Sequence, residues 1–259
     1  MHSHRSMYSI FPRELVVVVV VVVLLSGAVY AQNAGADGTN VIRRASAAMG
    51  CNLVGLETVI SIEGTLTASS LAVPMHVKID TQGNDRVRSE LDTPKEKKTT
   101  IVNAGRGQIQ HSDGRVTALA DHNTSHQRPM HIPCLTNIAL PSGQIDAFFI
   151  RSETIGSDIV DVLNVELKSR PKDKLGAAHM MTTVWVSRTT GYVVKLQYVN
   201  AAEQDANDTE LVEIEYANYR VIEGLAIPFH QITRSGQLTL DLQIATAELN
   251  AQAADFNLR

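Results

Sequence analysis

Alternating hydrophobic and polar residues dominate the C-terminal part of the chain, from Thr182 to Leu249. Near its end, aliphatic side chains recur at every second position with polar residues between them: Leu238, Leu240, Leu242 and Ile244. A period of two places such a set on one side of a pleated strand. One side of each strand is then buried and the other is solvated, which is typical of an antiparallel sheet.

The same alternation occurs much earlier in the chain. There the repeating residues are Val73, Met75, Val77 and Ile79. Further short strands, separated by glycine-containing turns, bring the expected total to about ten or eleven. With few helices available as cover, the two aliphatic sets are expected to turn to the same side of one sheet.

Two segments have helical spacing instead. The first is predicted from Thr39 to Met49, with Thr39 or Asn40 as its N-cap and Gly50 ending it in the left-handed conformation. The second is predicted from Ser142 to Arg151. Its apolar side would consist of Ile145, Phe148 and Phe149.

These elements predict a mainly β chain of the α+β class. We expect a large, curved antiparallel sheet, with two short helices on its concave apolar face. No linker and no shift in composition interrupts residues 39–259, so we expect one domain there.

The N-terminus has the three parts of a secretory signal. Arg5 and Arg13 lie before an unbroken apolar run of eleven residues, Leu15–Leu25, and the small residues Val29 and Ala31 follow. This predicts a signal peptide over residues 1–31, cleaved after Ala31, and a periplasmic or secreted protein. A membrane anchor would need about twenty apolar residues, so no span is expected after cleavage. Residues 32–38 are expected to be a flexible lead-in.

Cys51 and Cys134 are the only cysteines of the 259-residue chain. In an exported protein such a pair can form a disulfide. Free cysteines also pack as small hydrophobic residues, so two separate buried thiols are the alternative. The sequence leaves both possibilities open.

The charge and the motifs argue against several function classes. The net charge is −4 and no long basic run occurs, so we expect no nucleic-acid partner. No nucleophile elbow, phosphate loop or HExxH helix is present, so we expect neither an enzyme nor a cofactor. His122, His126 and His131 could share a metal, but their spacing and the nearby prolines favour a polar loop.

Several stretches carry a family resemblance. They are Ala47–Cys51 followed by a strand ending at Gly64, Trp185–Lys195 with its Thr-Gly turn, Tyr216–Phe229 with its tyrosine, glycine and proline, and the closing Asn250 and Phe256. Together they resemble the lipoprotein-carrier superfamily of the bacterial envelope. The resemblance implies a half-barrel fold and an apolar ligand, such as a lipid or the acyl chain of a lipoprotein.

The expected function is therefore binding of such a ligand by a monomer, in the concave face of the sheet. The candidate lining residues are Met75, Val77, Trp185, Ile214, Leu240 and Leu242. For any single one of them, plain core is the favoured interpretation. The alternative function is an envelope interaction or sensor protein with a filled interior and no small-molecule ligand.

Overall fold

Thirteen antiparallel strands form one curved sheet. The computed structural model describes residues 37–71, 73–124, 130–136, 139, 143–168, 181–201, 209–252 and 254–258. The strands are β1 (Val59–Ala68), β2 (Met75–Gln82), β3 (Arg86–Asp92), β4 (Lys97–Asn103), β5 (Arg106–His111), β6 (Val116–Ala118), β7 (Ile145–Ile155), β8 (Asp158–Leu167), β9 (Met181–Ser187), β10 (Val193–Ala201), β11 (Thr209–Ile222), β12 (Leu225–Ser235) and β13 (Leu238–Leu249).

The chain builds this sheet in two halves that meet at its centre. The order across the sheet is β6-β5-β4-β3-β2-β1-β13-β12-β11-β10-β9-β8-β7. The first half runs outward from β1 to the edge strand β6, and the second runs inward from the opposite edge strand β7 to β13. Residues 119–144 therefore connect one edge of the sheet to the other, and we call this segment the strap. Its described part includes a one-turn helix, α2 (Asp121–Thr124), and the 3-10 turn Pro133–Leu135.

One longer helix, α1 (Gly38–Ala48), precedes the sheet and packs against β7, β8 and β9. Its N-cap is Asp37, whose carboxylate accepts a hydrogen bond from the backbone N–H of Thr39 at 3.1 Å. The predicted caps Thr39 and Asn40 are wrong by two or three positions, since both lie inside the first turn. The left-handed Gly50 is confirmed, with a φ of 73°.

The second predicted helix is wrong. Residues from Ile145 onward form the edge strand β7, paired with β8 from Ile145↔Leu167 to Ile155↔Asp158. The spacing of Ile145, Phe148 and Phe149 fits one helical face. In a strand, however, the two consecutive phenylalanines point to opposite faces: Phe149 is half-buried, whereas Phe148 is 55% exposed. Short aromatic and β-branched runs are ambiguous in period, and here the pairing with β8 decides in favour of a strand.

The sheet also has more strands than the ten or eleven predicted. β7 accounts for this difference, because its residues were predicted as a helix and pair with β8 instead. The short strands β5 and β6 coincide with segments predicted as strands, Gln108–His111 and Arg115–Leu119. Among the described residues, α1 is the one helix longer than a single turn, where two were expected.

Side-chain register separates an apolar face from a charged face. The apolar face is the side of the sheet that carries Met75, Leu66 and Leu242, which lie opposite one another on β2, β1 and β13. The prediction that the two aliphatic sets share one side is therefore confirmed, although Val73 lies outside β2 and is exposed.

The other side, the charged face, carries cross-strand ion pairs. Glu63 and Lys78 are direct register partners on β1 and β2, and their charged groups lie 3.7 Å apart. On β12, Arg234 contacts two carboxylates of β11, Glu213 at 3.2 Å and Glu215 at 2.8 Å. These pairs are solvated and each contributes little to stability, but together they identify the charged face as the wet side of the sheet.

Candidate functional site

Five of the six predicted lining residues lie on the apolar face. One row of register partners crosses the sheet in the order Met75, Leu66, Leu242, Gln231 and Tyr216, so it contains two of the predicted residues, Met75 and Leu242. The neighbouring rows hold the rest: Leu240 and Ile214 in one, Val77 in another. Met75, Val77, Ile214 and Leu242 are buried, whereas Leu240 is half-buried.

Trp185 is not brought together with the other five. It pairs with Val162 and Lys195, so it projects from the charged face. Its indole N–H donates to Glu153 at 2.6 Å, and the Lys195 ammonium lies 4.8 Å from its ring centroid. The hydrogen bond from Trp185 is the main cause that lowers the pKa of the Glu153 carboxyl. Trp185, Val160 and Val162 form a small separate core. Lys195 lies over the indole ring, and Glu153 accepts the hydrogen bond from its N–H.

A band of half-buried aliphatic side chains crosses the apolar face at the centre of the sheet. We call it the aliphatic band, and its members on β1, β2, β3 and β13 are Leu66, Ile79, Leu91 and Leu240. They are interleaved with the buried Met75, Val77 and Leu242. On β8 and β9, beneath which α1 packs, the corresponding residues Leu163 and Val184 are fully buried. Cover over the apolar face is therefore uneven.

The strap covers the apolar face at β11 and β12. The hydroxyl of Tyr216 donates to the carbonyl of Met130 at 2.5 Å, and the side-chain amide of Gln231 donates to the carbonyl of His131 at 2.8 Å. Burial raises the pKa of the Tyr216 hydroxyl well above its usual range, so the hydroxyl keeps the proton that it donates. The two side chains hold the middle of the strap above the row that contains Leu242.

The strap is also joined to the end of α1 by a covalent bond. The sulfurs of Cys51 and Cys134 lie 1.99 Å apart and their Cα atoms 4.9 Å apart, so the structure contains the disulfide that the sequence left open. Next to it, the backbone N–H of Ala226 in β12 donates to the carbonyl of Met49 at 2.9 Å. The end of α1, the strap and β12 therefore form one connected unit.

The metal site considered for the three histidines falls largely outside the described residues. His126 lies outside the described residues, and no metal-binding group of three or more His, Cys, Asp or Glu side chains occurs among those described. His131 is half-buried as a residue, but its Nε2 atom is buried and has no hydrogen-bond partner in the described part of the chain. Burial lowers the pKa of His131 from its usual 6.5 to about 4, so the imidazole is neutral at pH 7.

Sequence reasoning missed the strap contacts and most of the aliphatic band. The interruption of the β pattern between Asp121 and Asn137 was the signal for the strap, but a loop without periodicity does not show what it packs on. Leu66, Ile79 and Leu91 follow the strand alternation, so their face was predictable. Their partial exposure was not, because it depends on where the strap and α1 lie.

In the part of the chain that the structure describes, no helix is both long and apolar enough to cross a membrane.

Three solved structures of bacterial proteins have a similar fold. A Vibrio parahaemolyticus domain assigned to an outer membrane lipoprotein-sorting protein is 11% identical, with a TM-score of 0.57, covering 84% of this chain and 94% of its own. A LolA superfamily protein from Nitrosomonas europaea is 11% identical, with a TM-score of 0.53, covering 85% and 96%. A DUF1329 family protein from Desulfovibrio piger is 9% identical, with a TM-score of 0.55, covering 85% and 98%.

No protein-family model and no curated protein sequence matches the chain. The structural similarity, at these identities, establishes the fold: the protein has the LolA-like lipoprotein-carrier fold that its sequence resembles.

Proposed function

We propose that the protein is exported to the cell envelope and there binds an apolar ligand, a lipid or the acyl chain of a lipoprotein, on the apolar face of its sheet. The aliphatic band carries this proposal. Leu66, Ile79, Leu91 and Leu240 keep partial exposure on a face where their aliphatic neighbours Met75, Val77 and Leu242 are core residues. An apolar surface of this kind gains stability when a hydrocarbon chain displaces water from it, at roughly 25 cal/mol per Å² buried.

The distribution of charge supports a hydrocarbon ligand. The ion pairs of β1, β2, β11 and β12, such as Glu63–Lys78 and Glu213–Arg234, lie on the opposite face. The band itself contains no charged side chain. Lys98, which lies beside Leu91 on the same face, is already paired with Glu96 at 2.9 Å. An acyl chain needs no hydrogen-bonding group on the band.

Two further features fit the proposal. The solved structures with this fold that are described as lipoprotein-sorting or LolA superfamily proteins suggest a ligand of the same chemical class. The predicted signal peptide over residues 1–31 lies outside the described residues, and N-terminal sequencing of exported protein should find Gln32 first. The role we propose is that of a monomeric binding protein without a catalytic step.

A fluorescent fatty-acid probe tests the proposal directly. The parent protein should enhance the probe emission, and an unlabelled fatty acid should compete. Leu66→Gln, which places an amide in the aliphatic band, should weaken probe binding at least tenfold. Leu211→Gln is the matched control, because Leu211 is 55% exposed and projects from the charged face; it should bind like the parent.

The outcomes separate the two functions considered. If the parent takes up no probe while remaining folded by circular dichroism, the ligand-binding proposal is wrong and the interaction or sensor protein remains. If both glutamine variants lose the probe equally, the binding surface is not the aliphatic band. Loss in Leu66→Gln alone supports the assignment.

A further inference from the structure

Two hairpin turns at one end of the sheet form an uncharged surface, which we call the uncharged rim. It comprises the β1–β2 turn and the β12–β13 turn with the adjoining strand ends, residues 64–75, of which Ala72 lies outside the described residues, and 235–240. Neither segment contains an Asp, Glu, Lys, Arg or His residue. The two turns lie at the same end because Ala68 and Leu240 are register partners on the central pair β1 and β13.

Hydrogen bonds join the two turns into one surface. The backbone N–H of Ser69 donates to the carbonyl of Thr239 at 2.8 Å, and the backbone N–H of Thr239 donates to the Ser69 hydroxyl at 3.0 Å. Three aliphatic side chains stand out from this surface: Leu71 and Val73 are each 50% exposed and Leu238 is 39% exposed. The turns are therefore held in place while their apolar tips face solvent.

The opposite end of the sheet has exposed apolar residues as well, but charged residues surround them. Leu56 is 77% exposed there, next to the exposed Glu57. The β2–β3 and β11–β12 turns at that end carry exposed Asp85 and Glu223. The two rim segments thus lack charged residues of their own, unlike the turns at the opposite end, and the carboxylate that lies beside the rim, next to Gly236, belongs to Glu210 of β11.

We propose that the uncharged rim docks on the surface of a lipid bilayer and inserts Leu71, Val73 and Leu238 between the lipid headgroups. A charged side chain taken to that depth would lose its hydration at high cost, and neither rim segment contains one. The neighbouring β3–β4 turn, at the same end, carries charges of both signs: Lys97 pairs with Glu90 at 2.7 Å, and Asp92 and Lys95 are exposed. These side chains can remain at the level of the lipid headgroups.

The rim also leads directly to the aliphatic band. Leu240 lies in both, and Leu66 lies within the rim segment and belongs to the band. An acyl chain leaving a docked bilayer could therefore move onto the apolar face along aliphatic side chains, without crossing water. This part of the inference rests on the proposed function, whereas bilayer docking does not depend on ligand uptake.

Depth measurements test docking without assuming a ligand. Leu71→Cys and, separately, Leu56→Cys are labelled with an environment-sensitive dye on the full chain as it is purified. Neutral phosphatidylcholine vesicles carrying a lipid-attached quencher are then added. The dye at position 71 should be quenched, and the dye at position 56, at the opposite end, should not. Raising the salt concentration should leave the quenching unchanged, because the rim carries no charge.

A second variant tests the rim side chains themselves. Leu71→Asn combined with Leu238→Asn should reduce quenching of a dye at position 73 at least fivefold, while the melting temperature stays near that of the parent. The fatty-acid probe should still bind this variant in the absence of vesicles. Failure of docking is thereby distinguished from failure of ligand binding, which Leu66→Gln reports.

Three results would overturn the proposal. Equal quenching at positions 56 and 71 would mean that the bilayer contacts both ends of the sheet alike. Quenching only on anionic vesicles, and lost in salt, would assign binding to the lysines. A concentration-dependent dimer that the two asparagine substitutions abolish, without quenching by any vesicle, would make the rim a contact between copies of the chain.

Discussion

Tyr216 and Gln231 are direct partners across β11 and β12, and they donate hydrogen bonds to two successive carbonyl groups of the strap, those of Met130 and His131. At Met130 and His131 the strap thus lies over the apolar face, and polar side chains of an otherwise apolar row satisfy these two carbonyl oxygens. A buried carbonyl without a partner is costly, so this pair explains why a polar residue such as Gln231 is buried in that row.

Tyr216→Phe tests the strength of this attachment. The substitution keeps the ring and removes the hydroxyl, which leaves the Met130 carbonyl unsatisfied. We expect a loss of about 1–3 kcal/mol in the free energy of unfolding, measured by urea denaturation. The control is Tyr192→Phe, since no hydrogen bond of the Tyr192 hydroxyl occurs among the described residues and its ring is half-exposed. Equal losses in the two variants would contradict the attachment.

His131 makes stability depend on acid pH. Its pKa is lowered from 6.5 to about 4 by burial, so the unfolded chain binds the proton first. The contribution of the neutral imidazole is fully present above pH 6.5 and is lost as the pH falls through about 4. At about 1.4 kcal/mol per pH unit, the total loss is about 3 kcal/mol.

His131→Gln should flatten this dependence. Unfolding free energies of parent and variant, measured between pH 7 and pH 4, should show a smaller decrease in the variant. His76→Gln, at an exposed position on β2, serves as the control and should keep the slope of the parent. An unchanged slope in His131→Gln would show that another group titrates.

Features that depend on neighbouring residues could be predicted from the sequence, whereas contacts between distant residues could not. The alternation of Leu238–Ile244 is local, and it correctly placed Leu240 on the same face of the sheet as Val77. Trp185 pairs with Val162 and Lys195, and this register places its side chain on the charged face. The alternation within a single strand does not show how that strand pairs with its neighbours, so the face of Trp185 could not be predicted. The strap contacts of Tyr216 join residues 86 positions apart, and no local pattern encodes such a distance.

Gly50 is required for contact as well as for conformation. It has a φ of 73°, and a Cβ atom built there would lie 2.1 Å from the carbonyl oxygen of Gly224. Gly105→Ala is the matched control, since Gly105 has a φ of 78° but open space around it. The control should cost about 1–2 kcal/mol from backbone strain alone. Gly50→Ala should cost about 1–3 kcal/mol more, measured by urea denaturation. Equal losses of unfolding free energy in Gly50→Ala and Gly105→Ala would contradict the contact between Gly50 and the Gly224 carbonyl.

The Cys51–Cys134 disulfide should be detectable by thiol counting. Denatured, unreduced protein should show no free thiol, and two free thiols per chain would contradict the bond. The bridge spans 83 residues, so in the chain-entropy model its removal costs up to ~4 kcal/mol. Reduced parent protein and the variant with Cys51→Ala and Cys134→Ala should therefore unfold at similar, lower urea concentrations.

Leu240 and Leu242 allow ligand binding to be separated from core packing. Both lie on the apolar face of β13, two residues apart, but Leu242 is buried, at 8% exposure, whereas Leu240 is half-buried. Leu242→Ala should cost about 2–5 kcal/mol, as expected when a packed leucine leaves a cavity. Leu240→Ala removes fewer packing contacts and should cost clearly less. If Leu240 contacts the ligand, its alanine variant should nevertheless bind the fatty-acid probe several times more weakly than the parent. Urea denaturation and probe titration on the same samples measure both quantities. A large stability loss in Leu240→Ala, together with no probe uptake by the parent, would show that Leu240 is ordinary core and would remove the carrier function.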